Sequence, residues 1–220
     1  MAESAALQDP KVRIAAAALT LFTERGFDAV SVTEIARHAD VAQPSIHYYF
    51  KTKRALWEAA MFELAGRLER ASAPVRSMVA AIDCLSALKA ACSVLIDRAA
   101  DTPELGRVIL AEGQAGGDRL DWLMRNVFSG MYYEFLELVE KCVDEGHIKP
   151  YPPYQILMLL HGAAVTNFNV APMVSAVFGE DPQSEANVAA YRTMYLDVIF
   201  AGLALPASKP KKAKSGKARD

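Results

Sequence analysis

The chain has 220 residues, 52% of them apolar and 23% charged, a balance that suits a globular protein of one large or two modest domains. A net charge of −2 excludes a protein that holds nucleic acid by bulk charge alone, and residues 1–9 read as no export signal. The distribution is uneven: seven Lys/Arg against six Asp/Glu in 1–56, eleven against nineteen in 57–208, and six against one in 209–220. An acidic bulk with a non-acidic N-terminal end would orient the molecule on a polyanion.

In chain order, a first helix is expected over about Lys11 to Arg25, with Ile14, Ala17, Ala18, Leu21 and Phe22 on one face and Gly26 at its exit. Ser31-Val32-Thr33-Glu34 then forms a capping box, with Val30 and Ile35 placed as a hydrophobic staple. Ile35, Ala36 and Ala39 continue the apolar stripe to a break at Ala39-Asp40-Val41-Ala42, where Asp40 is to take a left-handed backbone. Gln43-Pro44-Ser45 opens a helix of about two turns, since proline is accepted in a first turn. Ile46, Tyr49 and Phe50 point inward. Gln43, Ser45, His47 and Tyr48 point outward, and such uncharged hydrogen-bonders suit base edges and phosphates in a DNA major groove. Lys51, Lys53 and Arg54 follow, and Thr52 is placed to cap a helix whose N-terminus favours a phosphate.

That fourth helix is expected over about Thr52 to Ala71, with Leu56, Trp57, Ala60, Met61, Leu64 and Leu68 at helical spacing, linking the N-terminal unit to the remainder. Beyond Pro74 the pattern stays helical, without sustained period-two alternation, so the fold class is all-α. Ser77 to Ala100 reads as one long segment. Thr102-Pro103-Glu104 starts a helix, Gly116-Gly117 breaks one, and Asp118 to Glu145 forms another that Gly146 closes. Pro152-Pro153 opens the next.

Residues 150–179 contain no Asp, Glu, Lys or Arg. Gln155, His161, Thr166, Asn167, Asn169 and Pro172 interrupt this run, which argues against a membrane span and for a helix buried between its own domain and a partner subunit. The final helix, about Ser184 to Leu203, repeats Val188, Tyr191, Met194, Tyr195, Val198 and Ile199. Two such helices from each of two subunits would make a four-helix interface, hence a homodimer. Cys84, Cys92 and Cys142 lie far apart without metal-ligand spacing and read as buried thiols of a cytoplasmic protein, with redox sensing by Cys84 and Cys92 a minor alternative. Neither a phosphate loop, an HExxH nor a nucleophile with its base is present, so no enzyme, cofactor or metal is expected.

From Arg13 to Leu56, RIAAAALTLFTERGFDAVSVTEIARHADVAQPSIHYYFKTKRAL, the chain resembles the DNA-binding domain of the TetR family of transcriptional repressors. Gly26, Phe27, Ser31, Ile35, Ile46, Tyr49, Phe50, Lys53 and Leu56 are among the matching positions. Gln43-Pro44-Ser45 resembles the Gln-Pro-Thr of the family's founding member, which implies use of Gln43 and Pro44 against bases. Asp40, His47 and Val30 stand where the family usually has Gly, Tyr and Thr, which makes His47 a phosphate ligand only when suitably protonated or rotated.

A flexible stretch is expected at 1–10, the resemblance implies a helix-turn-helix domain at 11–56 and a ligand-binding and dimerisation domain at 57–205, and a basic tail at 206–220 that lacks apolar residues to bury is expected to be disordered. The resemblance implies DNA contacts from Ser31, Thr33, Gln43, Pro44, Ser45, His47, Tyr48, Lys51 and Lys53. A homodimer would then place two reading helices on a palindromic double-stranded operator. A small hydrophobic or aromatic effector, expected among Trp122, Met131, Phe135 and Phe168 with His161 and Asn167 as polar groups, would release it. The alternatives are a ligand-independent regulator or activator, or a helical small-molecule binder or enzyme.

Overall fold

A computed structural model describes residues 9–79 and 82–206, with side chains described for all of these except 68–79. The basic tail after 206, the N-terminal stretch before 9 and the proposed packing of Leu68 lie outside the described residues. Within them the chain forms eleven α-helices and one π-helical turn, with only an isolated bridge between Ile148 and Ala204.

α1 (Pro10–Arg25) starts where Asp9 accepts from the Lys11 N–H and ends at Gly26, whose φ of 80° releases the chain. α2 (Val32–His38) begins with the Ser31 hydroxyl accepting from the Glu34 N–H at 3.1 Å. Only half of the capping box forms, because the Glu34 carboxylate pairs with the Arg25 guanidinium instead of turning back on its own helix. Charge attraction to a neighbouring helix outcompetes a local hydrogen bond. α3 (Gln43–Phe50) lies between Asp40 (φ 52°) and Lys51 (φ 56°), which are the two positive-φ non-glycine residues among those described. Such backbone costs on the order of 1 kcal/mol or more and persists only where packing enforces it. Val30, Ile35, Ile46 and Phe50 supply that packing against Ile14, Ala18 and Phe22 of α1.

α4 spans Lys53–Val79, with the Thr52 hydroxyl accepting from the Ala55 N–H at 3.0 Å. It runs past Ala71 and through Pro74, and α5 (Cys84–Asp101) starts only after Asp83, which accepts from the Ser86 N–H. The break expected near Pro74 therefore falls further on. α6 (Pro103–Ala115) ends at Gly116. α7 (Asp118–Leu123), the π turn (Met124–Phe128) and α8 (Ser129–Asp144) replace the single helix expected from Asp118 to Glu145.

α9 (Pro153–Asn169) and α10 (Ala171–Phe178) divide the uncharged run at a bend of 63°. Pro172 in the first turn of α10 prevents the helix from continuing straight. No single described helix is long and apolar enough to cross a membrane. α11 (Glu185–Leu203) closes the fold, and Lys149 and Leu205 exchange backbone hydrogen bonds with Leu203 and His147 to fasten its end.

Two cores result. The first combines α1 to α4 with Val108, Leu123 and Phe128, and the second combines α5, α8, α9 and α11. Between α6 and α7 a polar joint locks the first core together. Arg119 Nε donates to the buried Glu112 carboxylate at 3.0 Å, its Nη2 donates to Asp28 at 3.4 Å, and its Cζ lies 4.6 Å from the Phe27 ring centroid. Removing one partner of so buried a pair strands the other charge. Urea denaturation of Arg119→Met should therefore show a loss on the order of 3 kcal/mol, most of it regained when Glu112→Leu is added.

Candidate nucleic-acid interface and internal cavity

On α3 the side chains separate by helical spacing. Ile46 and Phe50 are buried, Tyr49 is half-buried, and Gln43, Pro44, His47 and Tyr48 face solvent, Tyr48 at 80% exposure. Ser45 is half-buried. An aromatic ring exposed to that degree has no folding role, since burying it would be favourable. Thr33, exposed on α2, donates its hydroxyl to Gln43 Oε1 at 3.1 Å. The two helices thus set the Gln43 amide jointly, with its NH2 directed away for an acceptor on a base.

His47 Nδ1 lies 3.5 Å from the Lys51 carbonyl. With Nδ1–H turned to that carbonyl, Nε2 faces outward and donates to a phosphate only in the imidazolium form. Lys51 is exposed at the end of α3, whereas Lys53 folds back until its ammonium stands 4.4 Å from the Phe27 ring centroid. Burial pushes the Lys53 pKa down, and Asp28 opposes that shift. Of the two lysines, Lys51 is the one free to meet a backbone phosphate. Ser31 is exposed but already occupied as the cap of α2.

Away from this face, α4, α5, α6, the π turn, α8 and α9 enclose a cavity of about 410 Å³, the size of a drug-like ligand. Ala65, Leu95, Leu105, Ile109, Val127, Phe128 and Leu138 form apolar wall, and Met131, Phe135 and His161, three of the six residues nominated from the sequence, also line it. The Tyr132 and His161 rings pack with centroids 5.7 Å apart. Burial lowers the His161 pKa, so its imidazole is neutral near pH 7 and offers one donor and one acceptor.

Three nominated residues lie elsewhere. Trp122 packs its ring 5.5 Å from Trp57 and 5.1 Å from Phe62 (centroid to centroid), on the side facing α4 and outside the cavity. Phe168 shares the His161 face of α9 but stands two turns on, about 10 Å along the axis, where it meets Tyr191 edge-on. Asn167 points to another side of α9. The amide that backs the cavity wall is Asn169, so close to Gly106 that a Cβ there would sit 2.0 Å from Asn169 Oδ1. Sequence reasoning also missed Arg98, Thr102 and Glu134 on the lining. Arg98 ion-pairs with Asp101 at 3.5 Å, which reads as an ordinary surface pair until α6 folds over it, yet its Nε is buried without a partner.

A two-turn helix with an uncharged polar face, held by a tight turn on a three-helix core and carried on a helical body, defines a helix-turn-helix DNA-binding protein. The sequence model for bacterial regulatory proteins of the tetR family matches residues 14–60, and that for the tetracyclin repressor-like C-terminal domain matches residues 85–199. The chain belongs to the tetR family, and it is a DNA-binding transcription regulator of the repressor type, not an enzyme.

The regulator RutR of Escherichia coli K12 is 26% identical over 182 residues, 83% of this chain and 84% of its own. Among solved structures, the ketosteroid regulator KstR2 of Mycobacterium tuberculosis superposes with a TM-score of 0.68 at 14% identity, covering 90% of this chain and 97% of its own. FadR of Bacillus subtilis, solved with stearoyl-CoA, gives 0.64 at 19% identity over 86% and 97%.

His161 carries a pH signature. Its lowered pKa means that the unfolded chain takes up a proton first, so its contribution is whole above the ordinary histidine value of about 6.5 and is lost as pH falls through the folded value. Urea midpoints measured at about pH 7.5 and about pH 5.5 should fall further for the wild type than for His161→Gln.

Proposed function

We propose that the protein acts in the cytoplasm as a homodimeric repressor that binds a palindromic operator through two copies of α3 and leaves it when a small, largely apolar effector enters the 410 Å³ cavity. The observation that carries the reading is the exposed face of α3, a row of uncharged hydrogen-bonding groups set on a strained and fully packed turn. One such helix spans only a few base pairs, whereas two related by a dyad reach successive major grooves.

Dimerisation is supported by an apolar surface that the fold leaves open. Tyr154, Met158 and Leu159 of α9, in the uncharged run, and Met194 and Val198 of α11 are each at least half exposed. Large exposed apolar side chains at helical spacing are the mark of a helix–helix interface.

Release follows from linkage: an effector moves the equilibrium only by preferring the spacing of reading heads that DNA does not fit, with about 1–3 kcal/mol of coupling changing affinity some 5- to 150-fold. A physical route is at hand. Val127 and Phe128 of the π turn line the cavity, and one turn before them Trp122 rests on Trp57 while Arg119 rests on Phe27. A ligand that displaces the π turn pulls directly on the reading unit, besides acting through α4 at Ala65. The stearoyl-CoA held by the Bacillus subtilis neighbour is a precedent for an effector with a long apolar part.

The operator is obtained by selecting bound fragments from genomic DNA. With it, Gln43→Ala should lose discrimination between operator and random DNA, each lost base contact costing about 1–3 kcal/mol. Lys51→Ala should weaken both kinds of binding alike and reduce the salt slope by about one. Equal loss of both kinds of binding in the Gln43 variant would falsify base reading by that side chain. Val198→Glu should give a monomer by sedimentation and abolish operator binding while leaving the helical circular dichroism unchanged.

A further inference from the structure

The cavity uses none of the three cysteines, and two of them meet elsewhere. At the junction of the start of α5 with the turn after α8, Cys84, Glu145 and His147 each present a donor atom, and these atoms all lie within 4.8 Å of one another. His147 Nε2 stands 3.5 Å from Glu145 Oε2. The Cys142 thiol neighbours that of Cys84 in the second core, which brings a second sulfur to the edge of the group.

We propose that Cys84, Cys142, Glu145 and His147 form a four-coordinate site for a borderline-soft divalent cation of the Zn2+ type. Two thiolates, an imidazole and a carboxylate are the donors that such an ion takes in tetrahedral sites. Bonds of about 2.0–2.3 Å place tetrahedral donors about 3.3–3.8 Å apart, so the 3.5 Å His147–Glu145 separation already equals one edge. The donors of Cys84, Glu145 and His147 close in from at most 4.8 Å, and that contraction falls on the mobile side, because the His147 and Glu145 side chains are 42% and 44% exposed whereas both sulfurs are fixed in the second core.

The backbone beneath the donors is fastened. Gly146 turns the chain at φ 71°, the N–H groups of His147 and Ile148 donate to the Cys142 carbonyl at 3.0 and 3.2 Å, and the His147 carbonyl accepts from the Leu205 N–H. Cys142, Glu145 and His147 therefore come from one rigid turn, and Cys84 faces them as the first residue of α5.

An ordinary ion pair beside a buried thiol pair is the competing description, and Lys141, 3.9 Å from Glu145 Oε1, belongs to it. That contact is exposed and long, so it holds the carboxylate weakly. On binding, two S–H bonds break and two S–metal bonds form; two protons leave to solvent, and no electron is transferred. The site shares no residue with the cavity and does not rest on the effector reading. Its consequence is mechanical: the ion ties the start of α5, shortly after the helix that carries the reading unit, to the turn where the end of α11 is pinned.

The test is a titration of the reduced full-length protein with Co2+ under anaerobic conditions. One ion per chain should bind, with thiolate-to-cobalt charge-transfer absorption and intense tetrahedral visible bands, release of two protons, and displacement by Zn2+. His147→Ala, a half-exposed position whose loss leaves the fold intact, should weaken binding by about 100-fold or more and change the spectrum, as should Cys84→Ser. Cys92→Ser, whose thiol instead lies 3.6 Å from the Tyr195 hydroxyl, should keep the full spectrum. Weak octahedral bands without charge transfer in the wild type, or an unchanged spectrum in His147→Ala and Cys84→Ser, would overturn the assignment.

Discussion

The joint around Phe27 is the constraint on which the molecule depends. Phe27 stacks on Phe22 and meets Trp57 edge-on, while the Arg119 guanidinium and the Lys53 ammonium both lie within 5 Å of its ring centroid. Trp57 continues the stack to Trp122 and Arg54 spans both indoles. Cations over aromatic faces contribute modestly each, but here Arg119 and Lys53 share the Phe27 ring and the Asp28 carboxylate, while the buried Glu112 fixes Arg119, so their positions are interdependent. The reading unit is therefore tied at this point to α6, which borders the cavity, and to α7, which leads into the π turn that also lines it. What would otherwise be two globules joined by one helix is a single coupled body.

That coupling explains why the reading helix tolerates strain. Asp40 and Lys51 bracket α3 with positive φ, and the Arg13 guanidinium reaches the Asp40 carbonyl to support the first of these turns. Strained backbone survives where surrounding packing over-determines it. The result is a polar face whose orientation is set by the packing of the first core beneath it.

The remainder of the chain divides its apolar residues between two uses. Leu160, Ala164 and Phe168 of α9 face the second core, where the Tyr195 hydroxyl donates to the Leu160 carbonyl at 2.8 Å, while Met158 and Leu159 face outward. A helix that is apolar around its circumference satisfies both demands at once, which is the physical sense of an uncharged stretch without a membrane-spanning helix. The cavity lies on the far side of the same helix, where neutral His161 and the partly orphaned Arg98 give an apolar chamber a few polar points of reference.

Local rules in the sequence determined the helices and their caps: Ser31, Thr52 and Ser184 at starts, Gly26, Gly116 and Gly146 at ends, and the polar row from Gln43 to Tyr48. These are legible because each depends on neighbours within a turn of the chain. Tertiary structure alone decided which aromatic residues became cavity wall and which became the joint. Trp122 and Met131 carry the same apolar signal, yet Trp122 packs on Trp57 and Met131 lines the cavity. It likewise decided that Glu34 would serve Arg25, that Lys53 would lie on Phe27, and that Cys84 would meet Cys142 instead of sharing a role with Cys92. Periodicity gives the direction in which a side chain leaves its helix, but what it meets is set by helices distant in sequence whose packing no local pattern encodes.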